Sequence, residues 1–245
     1  ENYALTVFTA QERKEWEPVI KEFEERTGWN VRVETGSAKE MLSQLEKEEA
    51  DWDVAFGVSA DALEEGKEYW QTGKDAWTGY SAVSFVILYN TNVVTYRELP
   101  TGWDSLLEPR WKGRVAVPDP LKSDMAASVL TEAAKNSEKE EFLDLLAENM
   151  QYQMPETFKE VEQGISDGRY SIGVTSEEAA KAMLAAGQDV DYIDPEEGEC
   201  FFEDGTAIRK RTPNLDASEA FVTYTTCDDT KWLLQAQLLR QPAKD

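Results

Sequence analysis

The stretch PTGWDSLLEPRWKGRVAVPDPLKS, residues 100–123, joins three elements in an order that few folds use. A short helix is predicted first, Pro109 ends it, and a Lys-Gly-Arg turn leads to an apolar strand at 115–117. The loop after this strand opens a new helix at Ser123. Open α/β folds place ligand-binding groups in such a loop, where a helix N-terminus follows a strand.

The same alternation of strands and helices continues along the whole chain. The predicted strands are 5–8, 31–34, 54–57, 83–89, 115–117, 171–174, 190–193 and 206–209, and the predicted helices are 13–27, 38–48, 60–68, 104–107, 124–135, 138–150, 157–167, 177–186 and 216–226. Short connections between such elements predict an α/β fold with a mostly parallel sheet covered on both faces.

The composition excludes several classes of protein. The 245 residues include 49 Asp and Glu against 25 Lys and Arg, a net charge of −24, and such a chain lacks the clustered bases that phosphate backbones require. No apolar run reaches the length of a membrane span. The N-terminus has no basic segment and no apolar core, so if the protein is exported we expect its signal sequence to have been removed.

The chain contains no histidine. Histidine-dependent nucleophiles, histidine zinc sites and imidazole bases are therefore excluded. Carboxylate pairs could still support hydrolysis, so a carboxylate-based metal-dependent hydrolase stays open as the alternative class, although no spacing indicates one. We expect a protein that is not an enzyme.

The order of the motifs resembles the extracellular solute-binding proteins of ABC importers, in the ferric-iron-binding-like group. The matching stretches, besides residues 100–123, are LTVFTA at 5–10, FEERTGWNVRVETGSAKEMLSQL at 23–45, ADWDVAFGVSADAL at 50–63, FVILYNT at 85–91, SDGRYSIGVTSEEAA at 166–180 and DGTAIRKRTPNLDASEAFVTY at 204–224. Relative to that family, the segment between Ala62 and Gly79 is short, and the chain stops soon after Leu239, where further helices are expected.

The resemblance implies a type II periplasmic-binding-protein fold with two α/β lobes, each a mixed sheet flanked by helices, joined by hinge strands. Lobe I would comprise residues 1–80 and 204–245, and lobe II residues 81–203. It implies an extracytoplasmic protein, at the periplasm or cell surface, that captures a small molecule or ion between its lobes and has a membrane ABC permease as its partner. We expect a monomer that binds no nucleic acid. A two-lobed receptor sensor domain is the alternative that the sequence does not separate from an importer component.

In the resembled fold, loops at the carboxyl ends of strands bind the ligand. The matching positions here are Thr9, Gln11, Glu12, Gly36, Ser37, Ser59, Asp61, Ser123, Asp124, Thr175, Ser176, Glu177 and Glu178, with Tyr80 as the aromatic ring most suited to stack on a ligand. Each of the four serines is also a good helix N-cap, a role that requires no ligand.

The type of ligand depends on Glu177 and Glu178. They stand where relatives that bind ferric iron have two adjacent tyrosines, so tyrosinate coordination is lost. Two carboxylates could hold a metal cation or a protonated amine, or they could simply be first-turn acids favoured by the helix dipole. No cofactor is certain, and a bound metal ion is the one that this arrangement would allow.

An oxyanion is the alternative ligand. Relatives that bind phosphate or phosphonate groups have a Ser-Gly-Thr helix start where this chain has Ser123, Asp124 and Met125. Because Asp124 would repel an anion and Met125 lacks a hydroxyl, a phosphonate or phosphate ester is less favoured than a cation.

The two cysteines, Cys200 and Cys227, form a candidate disulfide. A strand at 205–210 would carry the chain away and a helix at 216–226 would bring it back by a similar distance. Two buried thiols are the alternative.

Overall fold

The computed structural model describes residues 3–71, 76–238 and 240–243. The strands and helices in these ranges are, in chain order, β1 (Leu5–Thr9), α1 (Arg13–Thr27), β2 (Val31–Thr35), α2 (Ala38–Glu46), β3 (Val54–Ser59), α3 (Ala60–Glu65), β4 (Thr78–Asn90), β5 (Val115–Ala116), α4 (Asp124–Asn136), α5 (Phe142–Asn149), α6 (Phe158–Ser166), β6 (Ile172–Ser176), α7 (Glu177–Ala185), β7 (Val190–Ile193), β8 (Cys200–Ile208), α8 (Leu215–Thr225), α9 (Asp228–Leu233) and β9 (Gln241–Pro242). Short 3-10 turns lie at Lys67–Tyr69, Tyr96–Glu98, Trp103–Leu107 and Pro109–Trp111.

The chain divides into two compact units. Unit 1 comprises Glu1–Ala82 and Glu203–Asp245, and unit 2 comprises Val83–Phe202. Strands β4 and β8 each begin in one unit and end in the other. The chain therefore passes between the units twice, each time within a strand.

Unit 1 contains a sheet in the order β2-β1-β3-β8. Strand β1 is parallel to β2 and β3, and β8 is antiparallel to β3. Side chains alternate between the two faces of β1. Leu5 and Val7 pack in one core cluster with Phe23, whereas Phe8 packs in the other with Trp52. Both faces of the sheet are therefore buried against helices, which keeps the carboxyl ends of the strands as the edge where loops can bind a ligand.

Unit 2 is built around the second part of β4. This strand is antiparallel to β6 and β7, while β5 is parallel to β6. One core cluster contains Phe85, Trp103 and Trp111, and a second contains Val86 and other aliphatic residues and Met183, from β4, β5, β7, α6 and α7.

The stretch 100–123 folds as two 3-10 turns followed by the two-residue strand β5. The backbone N–H groups of Trp103 and Asp104 donate to the Glu197 carboxylate at 2.9 and 3.0 Å. Glu197 thus satisfies the first unpaired donors of the turn, a role that sequence spacing could not show because the two segments are distant in the chain.

The mixed sheets expected from the resemblance are confirmed, and the mostly parallel sheet expected from simple alternation is wrong. The parallel pairs are β1 with β2, β1 with β3, and β5 with β6, but β4 is antiparallel to β6, β7 and β9, and β8 is antiparallel to β3. The cause is the passage between units, since β4 and β8 run back along strands of each unit instead of following a helical crossover.

The candidate disulfide is also wrong, because Cys200 and Cys227 are both free. Strand β8 begins at Cys200 and its nine residues span about 30 Å, whereas the eleven residues of α8 return only about 16 Å. Cys200 belongs to unit 2 and Cys227 to unit 1. Burial raises the pKa of the Cys200 thiol to about 12, so this thiol stays protonated at neutral pH.

Within the described ranges, the helices fall short of the length and apolar character needed to cross a membrane.

Candidate functional site

The loop after β1 contains three of the predicted residues, Thr9, Gln11 and Glu12. Thr9 is fully buried, and its hydroxyl accepts the backbone N–H of Gln11 at 3.2 Å. Glu12 is the N-cap residue of α1, and its backbone N–H donates to Glu15 Oε2 at 3.1 Å. The Thr9 hydroxyl and the Glu15 carboxylate therefore hold the backbone of the turn, and the Gln11 side chain lies in the interior of unit 1.

Gln11 is 8% exposed and lies against Gly57. Gly57 has a φ of +61° at the bulge in β3, and a Cβ added there would lie 2.4 Å from Gln11 Cδ. A glycine is required here for two reasons. The backbone has a left-handed conformation, and the Gln11 side chain occupies the space that a Cβ would need.

A buried polar network surrounds the Gln11 amide. Its Nε2 donates to Asp204 Oδ2 at 3.0 Å, and the same carboxylate receives the guanidinium of Arg240 at 2.6 Å. Arg240 and Asp204 are 3% and 1% exposed. Burial alone lowers the pKa of Arg240, but the carboxylates of Asp204 and Glu15 outweigh it and raise the pKa, so the guanidinium is charged.

The Gln11 amide oxygen, Oε1, is buried and has no hydrogen-bond partner within the described part of the chain. A buried acceptor without a donor is unfavourable, so this atom has unused binding capacity.

Gly36 and Ser37 form the loop between β2 and α2, whereas Ser59 ends β3 and Asp61 lies in α3. The Gly36 N–H donates to the Thr9 carbonyl at 3.1 Å, which joins this loop to the first. Ser37 and Ser59 cap α2 and α3 by accepting backbone N–H groups at 3.2 and 3.4 Å. The Ser37 hydroxyl also donates to Glu40, so both functions of this hydroxyl are in use. Asp61 is exposed in the first turn of α3.

A cavity of about 250 Å³ lies beside Gly36 in unit 1. Its wall includes the Phe8 ring, Thr35, Glu40 and Lys47. Gly36 is needed here because a Cβ would lie 2.9 Å from the Phe8 ring and 3.0 Å from Glu40 Oε2.

In unit 2, the loop after β5 leads to Ser123 and Asp124. Ser123 caps α4 by accepting the Ala126 N–H at 3.2 Å, and Asp124 is the first residue of that helix. Lys122, just before the cap, forms an ion pair with Glu156.

Thr175 and Ser176 end β6, and Glu177 and Glu178 begin α7 directly after it. Thr175 is buried and donates to Glu162 at 2.6 Å, and Ser176 caps α7 at 3.1 Å. The two glutamates occupy the first turn of α7, where both contact Lys181, at 2.8 and 3.6 Å. The positive charge of Lys181 therefore offsets part of the negative charge that the two glutamates would present to a cation.

Tyr80 belongs to the core of unit 1 and does not present an open ring. It is 2% exposed and packs edge-on against Phe56, with ring centroids 4.7 Å apart. Burial raises the pKa of its phenol. The stacking role expected for Tyr80 is therefore not supported, because it lies within β4 and not in a loop.

Groups of three or more acidic or thiol side chains that could hold a metal ion are absent from the described ranges. The structure thus brings Thr9, Gln11, Glu12 and Gly36 together in unit 1, and Thr175 to Glu178 in unit 2. Asp204 and Arg240 are the residues that the sequence pattern does not indicate, since neither lies in a loop after a parallel strand.

Residues 58–245 match the family model described as bacterial extracellular solute-binding protein. This chain belongs to that family. The solute-binding protein is 22% identical to iron uptake protein A1 of Synechocystis sp. (strain ATCC 27184 / PCC 6803 / Kazusa), over 91% of this chain and 71% of the relative.

Solved structures show the same fold. The ferric binding protein from Campylobacter jejuni is similar with a TM-score of 0.82 and 18% identity, over 97% of this chain and 86% of that one. AfuA from Actinobacillus pleuropneumoniae, with fructose-6-phosphate bound, gives a TM-score of 0.78 and 16% identity, over 99% and 85%. The type II periplasmic-binding-protein fold expected from the sequence is confirmed.

The family gives the solute-binding protein its general role. It is the extracytoplasmic component of an ABC importer, and it captures a small ligand that a permease in the membrane receives. Its family and fold are those of binding proteins without enzymatic activity.

Proposed function

We propose that the solute is a cation, in the first instance a metal ion bound through oxygen atoms. The observation that carries this proposal is the pairing of the basic residues at the candidate loops. Arg13, Lys14, Lys122 and Lys181 each contact a carboxylate. An oxyanion would have to compete with those carboxylates for these four bases. Lys39 and Lys47 are further bases near the Gly36 loop.

The helix N-termini at the loops also favour a cation over an oxyanion. Ser37, Ser59, Ser123 and Ser176 each already accept the N–H of the third helical residue. An anion would find part of the donor capacity of these four helices in use.

The acidic and amide groups at the loops are oxygen acceptors. They are the carboxylates of Glu12, Glu177 and Glu178, each of which contacts a lysine that a cation would have to displace, the carboxylate of Asp61 and the amide oxygen of Gln11. Hard cations prefer such oxygens. The names of two relatives, an iron uptake protein and a ferric binding protein, support a metal ion as the first candidate.

The finer features of the role are also proposals. We expect a monomer that catalyses no reaction and binds no nucleic acid, in keeping with the net charge of −24. Closure of the two lobes on the solute remains a prediction, and small-angle scattering would show it as a smaller radius of gyration when the solute is added.

The test is a thermal-shift screen of metal-stripped protein against ferric citrate, divalent cations, polyamines, phosphonates and sugar phosphates. A solute at a hundredfold excess over its Kd stabilises the native state by about 2.7 kcal/mol. We expect a shift with a metal cation that is lost in Glu177→Gln with Glu178→Gln.

The matched control is Glu140→Gln with Glu141→Gln, a second adjacent glutamate pair in unit 2 that lies just before α5. This control removes the same charge and should keep the shift. A shift with polyamines only would indicate that the solute is an amine and not a metal ion. A shift with phosphorylated compounds only would overturn the cation proposal and transfer the binding role to the helix N-termini.

A further inference from the structure

The first candidate loop, Thr9 to Glu12, is held at two points by side chains from other parts of unit 1. The Gln11 Nε2 donates to Asp204 Oδ2 at 3.0 Å, and the Glu12 backbone N–H donates to Glu15 Oε2 at 3.1 Å. The position of the loop therefore depends on where these two carboxylates are held.

One guanidinium holds both carboxylates. Arg240 Nη1 lies 2.6 Å from Asp204 Oδ2, and Arg240 Nη2 lies 3.1 Å from Glu15 Oε1. The planar fork of arginine fixes the directions of its donors, which a lysine ammonium does not do. Because Arg240 and Asp204 are almost completely buried, these contacts are little screened by water or salt.

Arg240 is itself held by the strand through which the chain leaves unit 1. Its Nη1 donates to Ser81 Oγ at 2.8 Å, and the Ser81 N–H and hydroxyl donate to Asp204 Oδ1 at 3.0 and 2.7 Å. Two residues on, Pro242 of β9 pairs with Ser81 of β4. The network thus joins the last described segment, the start of β4 and the loop.

This network also orients the Gln11 amide. The NH₂ group of Gln11 donates to Asp204. The other polar atom of the amide, Oε1, is buried and has no hydrogen-bond partner among the described residues. Such an acceptor is satisfied only when a donor or a cation reaches it. The unpaired Oε1 is an observation independent of the ion pairs, and it points to a ligand.

We propose that Arg240 is a positioning residue for solute capture. It holds Asp204 and Glu15 so that Gln11 directs Oε1 to the solute and Glu12 keeps its place at the start of α1. This inference rests on the proposed function, because it takes the loop Thr9 to Glu12 to be part of the solute site.

The experiment uses two variants and one control. Arg240→Lys keeps the charge but loses the fork, so the two carboxylates are no longer held together. Glu15→Gln has one oxygen acceptor instead of two, so it loses either Arg240 or the Glu12 N–H. Arg211→Lys is the control, since Arg211 forms an ion pair with Glu48 at the surface, where both side chains are exposed.

The first measurement is hydrogen exchange, by NMR, of the Gln11 and Glu12 amides in the solute-free protein. Both amides donate to side-chain acceptors of this turn. We expect exchange about tenfold faster at both in Arg240→Lys, and at Glu12 in Glu15→Gln, with no change at Val7 in β1. Equal acceleration at Val7, or no change at Gln11 and Glu12, would show a purely structural ion pair and overturn the proposal.

The second measurement is binding of ferric ion supplied as ferric citrate. We expect affinity about tenfold weaker in Arg240→Lys and unchanged in Arg211→Lys. If the wild-type protein does not bind ferric ion, ferric ion is excluded as the solute, and the exchange data alone decide whether Arg240 positions the loop. If Arg240→Lys does not fold, Glu15→Gln decides, because Glu15 is partly exposed and its loss leaves the Asp204 pair intact.

Discussion

At the scale of single residues, the site depends on one close packing contact that the sequence does not reveal. Sequence spacing places Gln11 after a strand and predicts a loop residue facing a ligand. Its side chain instead lies in the interior against Gly57, with its amide nitrogen on Asp204. The burial of Gln11 depends on a bulge in another strand, which the spacing around Gln11 does not record.

Gly57→Ala should therefore weaken solute binding more than its backbone strain alone would suggest. The added Cβ would overlap the Gln11 amide, whereas the same change at Gly28, with φ +73° in unit 1, meets nothing within 4 Å. Both variants should lose about 1–2 kcal/mol of unfolding free energy from the left-handed backbone, and Gly57→Ala more from the overlap. Calorimetry of solute binding and of unfolding would check this, and equal affinities in the two variants would contradict it.

Tyr80→Phe should leave solute affinity unchanged and keep or slightly raise stability. The Tyr80 hydroxyl is buried without a hydrogen-bond partner among the described residues, so its removal costs nothing and can gain up to about 1 kcal/mol. Tyr89→Phe is the control, because the Tyr89 hydroxyl donates to Asp191 at 3.3 Å and its loss should cost about 1 kcal/mol. Denaturant unfolding measures the change in stability of each variant. A loss of solute affinity in Tyr80→Phe would contradict the prediction and indicate that Tyr80 contributes to binding.

At the scale of helices and strands, local signals predict much of the structure. Helix α1 and strand β7 have the predicted bounds, and the Ser-x-x-Glu pattern at Ser37 and Glu40 is a capping box. Caps are predictable because donor and acceptor are three residues apart. Helix α9 and strand β9 are absent from the predicted elements. Strand β9 is two residues long and exists because β4 offers it a partner.

The capping box should give α2 a pH-dependent stabilisation. Backbone N–H and hydroxyl donation from Ser37 lower the pKa of Glu40 below its ordinary value of 4.5. A carboxylate with a lowered folded-state pKa stabilises fully above its unfolded pKa, and this contribution is lost as pH falls through the folded value. The difference in unfolding free energy between wild type and Glu40→Gln should thus be constant near neutral pH and should approach zero in acid.

Denaturant midpoints measured from pH 7 down to about pH 3 would check this. Glu219→Gln, an exposed mid-helix change in α8, is the control, because it removes the same charge outside a capping box. A wild-type advantage over Glu40→Gln that persists at the lowest pH would contradict the assignment.

At the scale of the whole molecule, the net charge of −24 is the dominant electrostatic fact. Self-repulsion of like charges disfavours the folded state. The Debye length falls from about 10 Å at 0.1 M salt to about 3 Å at 1 M, so salt screens this repulsion. Salt also weakens the surface ion pairs, but each pair contributes little to stability. The screening of the repulsion therefore has the larger effect.

We therefore expect the melting temperature of the solute-free protein to rise with salt, by about 3 °C or more between those concentrations for a chain of this size. Calorimetry in sodium chloride and in tetramethylammonium chloride would separate screening from binding, because only screening is common to both salts. A flat or falling melting temperature would contradict the expectation.

Local signals in the sequence are enough to define the class of the molecule. The alternation of elements predicts an α/β fold, and the four serines predict helix caps, because these signals are local. The order of the motifs resembles that of the solute-binding proteins, and this resemblance is what implied the function. The absence of histidine by itself excludes every catalytic site that needs an imidazole.

How the loops are held depends on tertiary contacts. Arg240 meets Asp204 and Glu15 across 36 and 225 positions of the chain, and Cys200 and Cys227 fall in different units and do not pair. Such contacts depend on where separate strands end and on which carboxylates are buried together. Those quantities are properties of packing, and no spacing in the sequence records them.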